Sequence, residues 1–196
     1  NNKGMKKVRH FLAVLTVAML TASCGTSSTV PITGRKQNIL VSDEQVLSLS
    51  NQQYQEYMKQ AKASQDATST AMVKRCGERL ASAVVSYLQQ NGLAAEVSQY
   101  KWEFNLVQDK SVNAFCMPGG KIVVYEGLLP VTKDESSLAI VLGHEIAHAV
   151  AKHSAERLSN EVRKQYGAQI IGGVLQGAGA SANLQNISST VFGIGT

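Results

Sequence analysis

The sequence has no apolar run long enough to span a bilayer, and outside its first residues it has almost no excess of positive charge. Each of these absences excludes a class of protein. Phe11–Leu20 is a hydrophobic run of about ten residues, too short to span a bilayer as an ordinary transmembrane helix. Four basic residues precede that run: Lys3, Lys6, Lys7 and Arg9. Of the 19 Lys and Arg residues, 15 lie outside this segment and face 14 Asp and Glu, so we exclude nucleic acid as a partner.

The N-terminal segment has the pattern of a secretory signal peptide. Basic residues precede the short apolar run, and small residues follow it at positions 21–23. We therefore predict a signal peptide over residues 1–23, with Met5 as the natural start. Residues 24–40 are rich in Ser, Thr and Gly and are predicted to form a tether, which leaves residues 41–196 for the folded domain.

Cysteine is scarce, with three in the chain. Cys24 directly follows the predicted leader, and Leu20–Cys24 resembles a bacterial lipoprotein box, although a threonine replaces the leucine usual three residues before the cysteine. We expect Cys24 to be lipidated and to anchor the protein in the membrane, with Gly25 favouring the periplasmic side of a Gram-negative outer membrane. The alternative is an ordinary cleaved leader with an incidental cysteine. Cys76 and Cys116 are either paired or two free buried thiols, and the sequence leaves both open.

The hydrophobic periodicity predicts an α+β domain with N-terminal helices, a small antiparallel sheet and a buried later helix. Capping boxes, in which Ser or Thr is followed three residues later by Gln or Glu, occur at Ser42 and at Thr132. We expect helices from Ser42 to about Lys62, over Ser69–Gln90 and from near Lys133 onward, and strands over Tyr100–Val107 and Lys121–Tyr125.

The apolar run Leu138–Ala151 contains the sequence His144-Glu145-Ile146-Ala147-His148. Two histidines four residues apart lie about 40° apart around a helix axis, so both rings point the same way. Neutral imidazoles are good zinc ligands, and a carboxylate between them can take a proton from water at the metal. We predict that His144 and His148 bind zinc and that Glu145 is the general base. Three unpartnered polar side chains would be costly in a helix that is apolar all round, so a metal is favoured over hydrogen-bonded core histidines.

Several motifs in one order carry a resemblance to a known family. They are Pro31-Ile-Thr-Gly-Arg-Lys-Gln, Asn113-Ala-Phe, Pro118-Gly-Gly, Gly127-Leu-Leu and Val141-Leu-Gly-His-Glu-Ile-Ala-His. Residues 30–153 resemble the HtpX-like and CAAX-prenyl-protease-like zinc metallopeptidases, above all their bacterial periplasmic lipoprotein branch, although Cys116 replaces a more usual small residue.

This resemblance implies a zincin-like fold and a zinc-dependent metalloendopeptidase that cuts misfolded or unassembled proteins of the cell envelope. It also implies an edge strand above the cleft, to which a polypeptide substrate adds as a further strand. That strand would be formed by Lys121, Ile122, Val123, Val124 and Tyr125.

The motif lacks a third zinc ligand, although a catalytic zinc needs three protein ligands and a water. In the resembled family it is a glutamate on a later helix, but no Asp, Glu, His or Cys follows Glu161. His153 lies about 180° from His144 around a continuous helix, and Glu156 lies roughly 12 Å beyond His148. Glu161 could reach the two histidines only if the chain reversed its direction after the helix. We therefore expect a C-terminally truncated chain whose third ligand is a Glu beyond residue 196, with weak zinc binding and little activity on its own.

Two other functions fit the sequence. A lipoprotein with a protease-like cleft could hold unfolded envelope proteins as a chaperone-like module without cutting them, although such a module has no need of Glu145. A structural envelope lipoprotein with a chance motif would need neither zinc nor Glu145. The sequence leaves the cleavage preference and the oligomeric state open.

Overall fold

The structure, a computed structural model, describes residues 26–30, 33–166, 170–171, 174–175 and 180–192. These residues form seven α-helices and seven short strands, and a 3-10 turn lies at Glu126–Leu128. The helices are α1 Asp43–Gln60, α2 Ala67–Gln90, α3 Ala94–Val97, α4 Leu129–Thr132, α5 Glu135–Val150, α6 His153–Tyr166 and α7 Ala180–Phe192. The strands are β1 Thr26–Thr29, β2 Lys36–Ile39, β3 Glu103–Val107, β4 Ala114–Met117, β5 Lys121–Tyr125, β6 Ile170–Ile171 and β7 Val174–Leu175. The predicted α+β class is confirmed.

The central sheet has three strands in the order β3-β5-β4, and its strand directions are mixed. The β4 strand pairs antiparallel with β5, as predicted, whereas β3 pairs parallel with β5. The chain crosses from β3 to the far edge before a tight turn returns it to the middle of the sheet. Gly119 and Gly120 form that turn with φ angles of 87° and 83°, which glycine adopts without strain. The prediction of a fully antiparallel sheet is therefore wrong for the β3–β5 pair.

The strand Lys121–Tyr125 is the central strand, so its prediction as an edge strand is wrong. All five of its residues are buried, because helices cover both faces of the sheet. Ile122 and Val124 belong to a core shared with α2 and α5, and Val123 belongs to a separate, small apolar cluster beside α1. A continuous β-branched run of this kind is typical of a strand buried on both faces.

The helix signals at the start of the domain are confirmed. The Ser42 hydroxyl accepts a hydrogen bond from the Gln45 N–H, and the Gln45 side chain accepts one from the Ser42 N–H, which completes the capping box of α1. The second helix begins two residues earlier than predicted, because Asp66 caps it. Gly92 follows its end with a φ angle of 74°, as expected for a helix terminus.

The helices that frame the motif are held by two apolar cores. The larger core joins α2, the sheet and α5, and it contains Val73, Cys76, Leu88, Leu106, Ala114, Ile122, Val124, Leu128, Leu138, Leu142, Ile146 and Val150. A second core joins β2, α1, α6 and α7 through Ile39, Val41, Val46, Ala155, Leu158, Val162, Leu184, Ile187 and Val191. The motif helix α5 and the following helix α6 are thus anchored in different cores.

Several predictions concern cysteines and membrane contact. Cys76 and Cys116 are free thiols in the structure, so the alternative of a disulfide between them is not realised. None of the described helices is apolar over a stretch long enough to cross a bilayer. The predicted leader and the lipidation site Cys24 lie outside the described residues.

Candidate active site

The helix that carries the motif begins at Glu135, two residues later than its predicted start. Asp134 is the N-cap, and its carboxylate accepts the Ser137 N–H at 2.7 Å. Thr132 instead ends α4, where its hydroxyl donates to the Leu129 carbonyl at 3.2 Å. Lys133 has a φ angle of 65°, so the chain turns sharply there and α4 cannot continue into α5. The predicted capping box at Thr132 is therefore wrong.

The α5 helix is buried on one face and exposed on the other. Leu138 and Leu142 are fully buried, whereas His144 and His148 are exposed and Glu145 is half-buried. The prediction of a helix buried all round is wrong for the histidine face, where small residues and the 76% exposed Ile140 meet solvent. The desolvation argument for a metal therefore does not apply to the two exposed rings, which are open to a ligand from outside.

The two histidines of the motif face each other across one helical turn. Nε2 of His144 lies 3.0 Å from Nε2 of His148, and the ring planes are 86° apart. Two nitrogens bound to one tetrahedral zinc ion at about 2.0–2.1 Å would lie about 3.3 Å apart. The separation and the imidazole chemistry of these two residues therefore fit a divalent metal held by both Nε2 atoms.

His153 joins this pair, contrary to the prediction that it points away. Its Nδ1 atom lies 2.6 Å from Nδ1 of His148. The prediction assumed one continuous helix, but α5 ends at Val150 and Lys152 adopts a φ angle of 55°. Burial lowers the pKa of His153 below its usual value, and the neighbouring His148 and Arg35 lower it further.

Neither acidic candidate is directed at the histidines. Glu156 accepts two hydrogen bonds from Arg35, at 2.7 and 2.6 Å, and one from the Gln37 amide at 3.2 Å. The Arg35 hydrogen bonds lower the pKa of Glu156 despite partial burial. Glu161 pairs with Lys164 at 2.6 Å on the same helix.

Within the described ranges no group of three or more His, Cys, Asp or Glu side chains is arranged to hold a metal ion. The third ligand, expected to be a Glu beyond residue 196, stays a prediction.

A cavity of about 480 Å³ is lined by residues of the motif and of the edge strand β4. Glu145 and His148 are among its lining residues, so the predicted base borders a space that a peptide segment could enter. Cys116 lines the same cavity. Burial raises the pKa of its thiol, and the nearby Glu145 raises it further, so Cys116 is protonated at neutral pH.

The prediction from sequence contains no strand over Ala114–Met117, which forms β4 in the structure. The available signal was a short apolar run, Ala114–Met117, joined to the β-branched run of β5 by Pro118-Gly119-Gly120. Two strand-like runs separated by a glycine-containing turn are typical of a β-hairpin. The ion pairs of Arg35 with Glu156 and of Lys152 with Asp43, close to the histidines in the structure, were not predicted either.

Comparisons with known proteins indicate the family of this chain. The model of peptidase family M48 matches residues 69–194. The mitochondrial metalloendopeptidase OMA1 of Bos taurus is 34% identical over 134 residues, covering 66% of this chain and 24% of the relative. OMA1 of Schizosaccharomyces pombe is 52% identical over 63 residues, covering 32% of this chain and 19% of the relative. A putative beta-barrel assembly-enhancing protease of Vibrio cholerae is 31% identical over 106 residues, covering 52% of this chain and 22% of the relative.

The chain spans about a fifth to a quarter of the length of these curated relatives. The HtpX-like, periplasmic lipoprotein branch that the motifs indicated stays a prediction. The match at the level of the family extends over more than half of the sequence and contains α5 with its two histidines. The chain therefore belongs to peptidase family M48.

Proposed function

We propose that the protein is a zinc-dependent metalloendopeptidase of the bacterial cell envelope, which hydrolyses peptide bonds of misfolded or unassembled envelope proteins. The observation that carries the proposal is the pair of Nε2 atoms, 3.0 Å apart, beside a carboxylate that borders a cavity. Membership of family M48, whose metallopeptidases depend on zinc, supports this chemistry.

Each residue of the motif has a distinct task in this proposal. His144 and His148 would hold the zinc ion through their Nε2 atoms. When bound, zinc would polarise the scissile carbonyl and lower the pKa of a water molecule toward about 7. Glu145 takes the proton of the attacking water and passes it to the leaving amine nitrogen. Its position between the two histidines brings it to the reacting water without making it a ligand.

The edge strand β4 is the best candidate for holding the substrate backbone. Among the described strands it pairs with β5 alone, and it lines the same cavity as Glu145. Tyr125 donates its N–H to the Asn113 carbonyl, and bonded and non-bonded pairs alternate along an antiparallel ladder. The backbone groups of Ala114 and Cys116 therefore point away from β5.

An extended peptide could pair with these outward-facing groups, so binding would ask little of the substrate's sequence. This role replaces the one predicted for Lys121–Tyr125, whose backbone is already paired on both sides.

The cellular location is a further part of the proposal. A basic segment, a short apolar run and Cys24 indicate export and lipidation, which would place the cleft on the periplasmic side of the outer membrane. The bacterial relatives named beta-barrel assembly-enhancing proteases support an envelope role, whereas the OMA1 relatives are mitochondrial. The substrates proposed here are therefore unfolded envelope polypeptides rather than small peptides.

The test compares the complete gene product with its Glu145→Gln variant on fluorescently labelled casein, with and without a zinc chelator. We expect cleavage that the chelator abolishes and zinc restores. The Glu145→Gln variant should cleave about 10²–10⁴-fold more slowly, the range for loss of a general base, while keeping its zinc. Suppose instead that the zinc-loaded wild type leaves casein intact and prevents its aggregation as well as the Glu145→Gln variant does. That result would indicate the chaperone-like alternative.

A further inference from the structure

His148 contacts a different histidine through each of its ring nitrogens. Nε2 faces Nε2 of His144 at 3.0 Å, and Nδ1 faces Nδ1 of His153 at 2.6 Å. The rings of His148 and His153 are inclined at 60° with centroids 4.9 Å apart, so they meet at their edges and are not stacked. This geometry suits a hydrogen bond between the two Nδ1 atoms, and the proposed reaction leaves that contact without a role.

A specific break in the chain brings His153 to this position. On a continuous helix His153 would point about 140° away from His148. The break occurs at Lys152, whose φ angle is 55° and whose N–H donates to the Ala149 carbonyl. The Lys152 ammonium group is paired with Asp43 of α1 at 2.7 Å and with Glu96 of α3 at 3.0 Å. Three helices therefore fix the turn that returns His153 to the ring of His148.

We propose that His153 is a positioning residue for His148. Its Nδ1 accepts a hydrogen bond from the Nδ1–H of His148, and the Nε2 lone pair of His148 is then directed toward His144. The bond made by one ring nitrogen sets which nitrogen of a histidine carries the proton. Metal-binding histidines usually donate from the second nitrogen to a carboxylate, a carbonyl or a water, and here an imidazole would take that place.

This inference rests on the proposed function, because it gives His148 the task of a metal ligand. Its first consequence is nevertheless visible without metal. In the metal-free protein labelled with ¹⁵N-histidine, long-range ¹H–¹⁵N spectra report which nitrogen of His148 is protonated. We expect Nδ1–H for His148 in the wild type, a shift toward Nε2–H in His153→Ala, and recovery of Nδ1–H in His153→Asn, whose amide oxygen can accept the same bond. An unchanged His148 tautomer in His153→Ala would overturn the proposal.

The second measurement is zinc affinity, determined by competition with a chromophoric chelator. We expect His153→Ala to bind zinc about 10–100-fold more weakly than the wild type, as is common when a partner of a ligand is lost. His153→Asn should recover most of that affinity, and Gln165→Ala, an exposed position on the same helix, should bind as the wild type does. The melting temperatures of the metal-free variants should agree with one another, which separates positioning from a general loss of structure.

The outcomes distinguish the two proposals. If His153→Ala binds zinc as tightly as the wild type while His148→Ala does not bind, the positioning role is wrong and the proposed function stands. If His153→Ala loses zinc as completely as His148→Ala, then His153 is itself a ligand and the positioning role is again wrong. If the wild type binds no zinc, the proposed function fails and this inference fails with it.

Discussion

The Nε2 atoms of His144 and His148 face each other at 3.0 Å across one turn of α5. This arrangement depends on the opposite face of the helix, where Leu138, Leu142 and Ile146 are buried against the sheet and α2. The buried face fixes the rotation of the helix about its axis, so the histidines are directed outward. The stability of the core and the geometry of the candidate metal site are therefore linked through one helix.

The two faces of α5 should respond differently to truncation. Leu142→Ala removes a fully buried side chain and should lower the free energy of unfolding by about 2–5 kcal/mol. Ile140→Ala removes an exposed side chain and should change it by less than about 0.5 kcal/mol. Urea unfolding followed by circular dichroism measures both. Equal losses would show that the histidine face of the helix is buried after all.

The proposed substrate strand can be tested at its outward-facing backbone. Cys116→Pro removes one N–H that points away from β5, which an edge strand tolerates, whereas Cys116→Ala keeps it. Losing one hydrogen bond to the substrate should lower kcat/KM on a peptide by about tenfold in Cys116→Pro. The Cys116→Ala variant should stay near the wild type. If the alanine variant is the more impaired of the two, the thiol and not the strand edge is what the substrate needs.

The sequence predicted the parts of the fold that local patterns determine. The Ser42–Gln45 capping box and the spacing of His144 and His148 involve neighbouring residues, and the structure reproduces the box and brings the two rings together. The larger apolar residues Leu138, Leu142 and Ile146 recur every four positions of α5, and this spacing indicates the face that the structure buries. The opposite face carries Ala and Gly beside the histidines, and these small residues are as compatible with an exposed face as with a buried one, which is why the prediction of a helix buried all round is wrong there.

The features that were not predicted from the sequence depend on contacts between residues that are far apart in the chain. The central position of β5 follows from the return of the chain between β3 and β4, which the residues of β5 do not specify beyond being apolar on both faces. The contact of His153 with His148 depends on the left-handed turn at Lys152. That turn is stabilised by Asp43 and Glu96, which lie 109 and 56 residues earlier in the chain.

Two glycines offer a matched pair of stability tests. A Cβ atom at Gly127 would lie 2.2 Å from the backbone oxygen of Lys110, so Gly127→Ala forces the backbone to move and should cost about 1–3 kcal/mol. A Cβ atom at Gly143, inside α5, would meet nothing within 4 Å, so Gly143→Ala should stabilise the protein by about 0.5–1 kcal/mol. Thermal unfolding of both variants checks the opposite signs. A Gly127→Ala protein as stable as the wild type would contradict the close approach of the loop at Lys110.

The stability of the sheet should depend on acid through Glu103. The buried Lys121 ammonium group, aided by the Tyr54 hydroxyl at 2.8 Å, lowers the pKa of Glu103. A carboxyl group whose pKa is lower in the folded state stabilises the protein above its unfolded-state pKa. That contribution is lost as the pH falls through the folded-state pKa. The Glu103→Gln variant should therefore lose less stability than the wild type between neutral pH and acid.

Urea midpoints measured from neutral pH down to acid would follow this loss. Glu78→Gln, at an exposed position of α2, serves as the control and should show the same pH dependence as the wild type. Identical pH profiles for Glu103→Gln and the wild type would mean that the pair with Lys121 contributes nothing to the pH dependence.

The zinc content of the complete gene product tests the central claim most directly. It should be measured by mass spectrometry of the metal after exhaustive dialysis, in the wild type, in Glu145→Gln and in His148→Ala. We predict one zinc ion per chain in the wild type and in Glu145→Gln, and none in His148→Ala. A wild-type protein without zinc, or a His148→Ala variant that keeps it, would contradict the assignment of this helix as a metal-binding catalytic site.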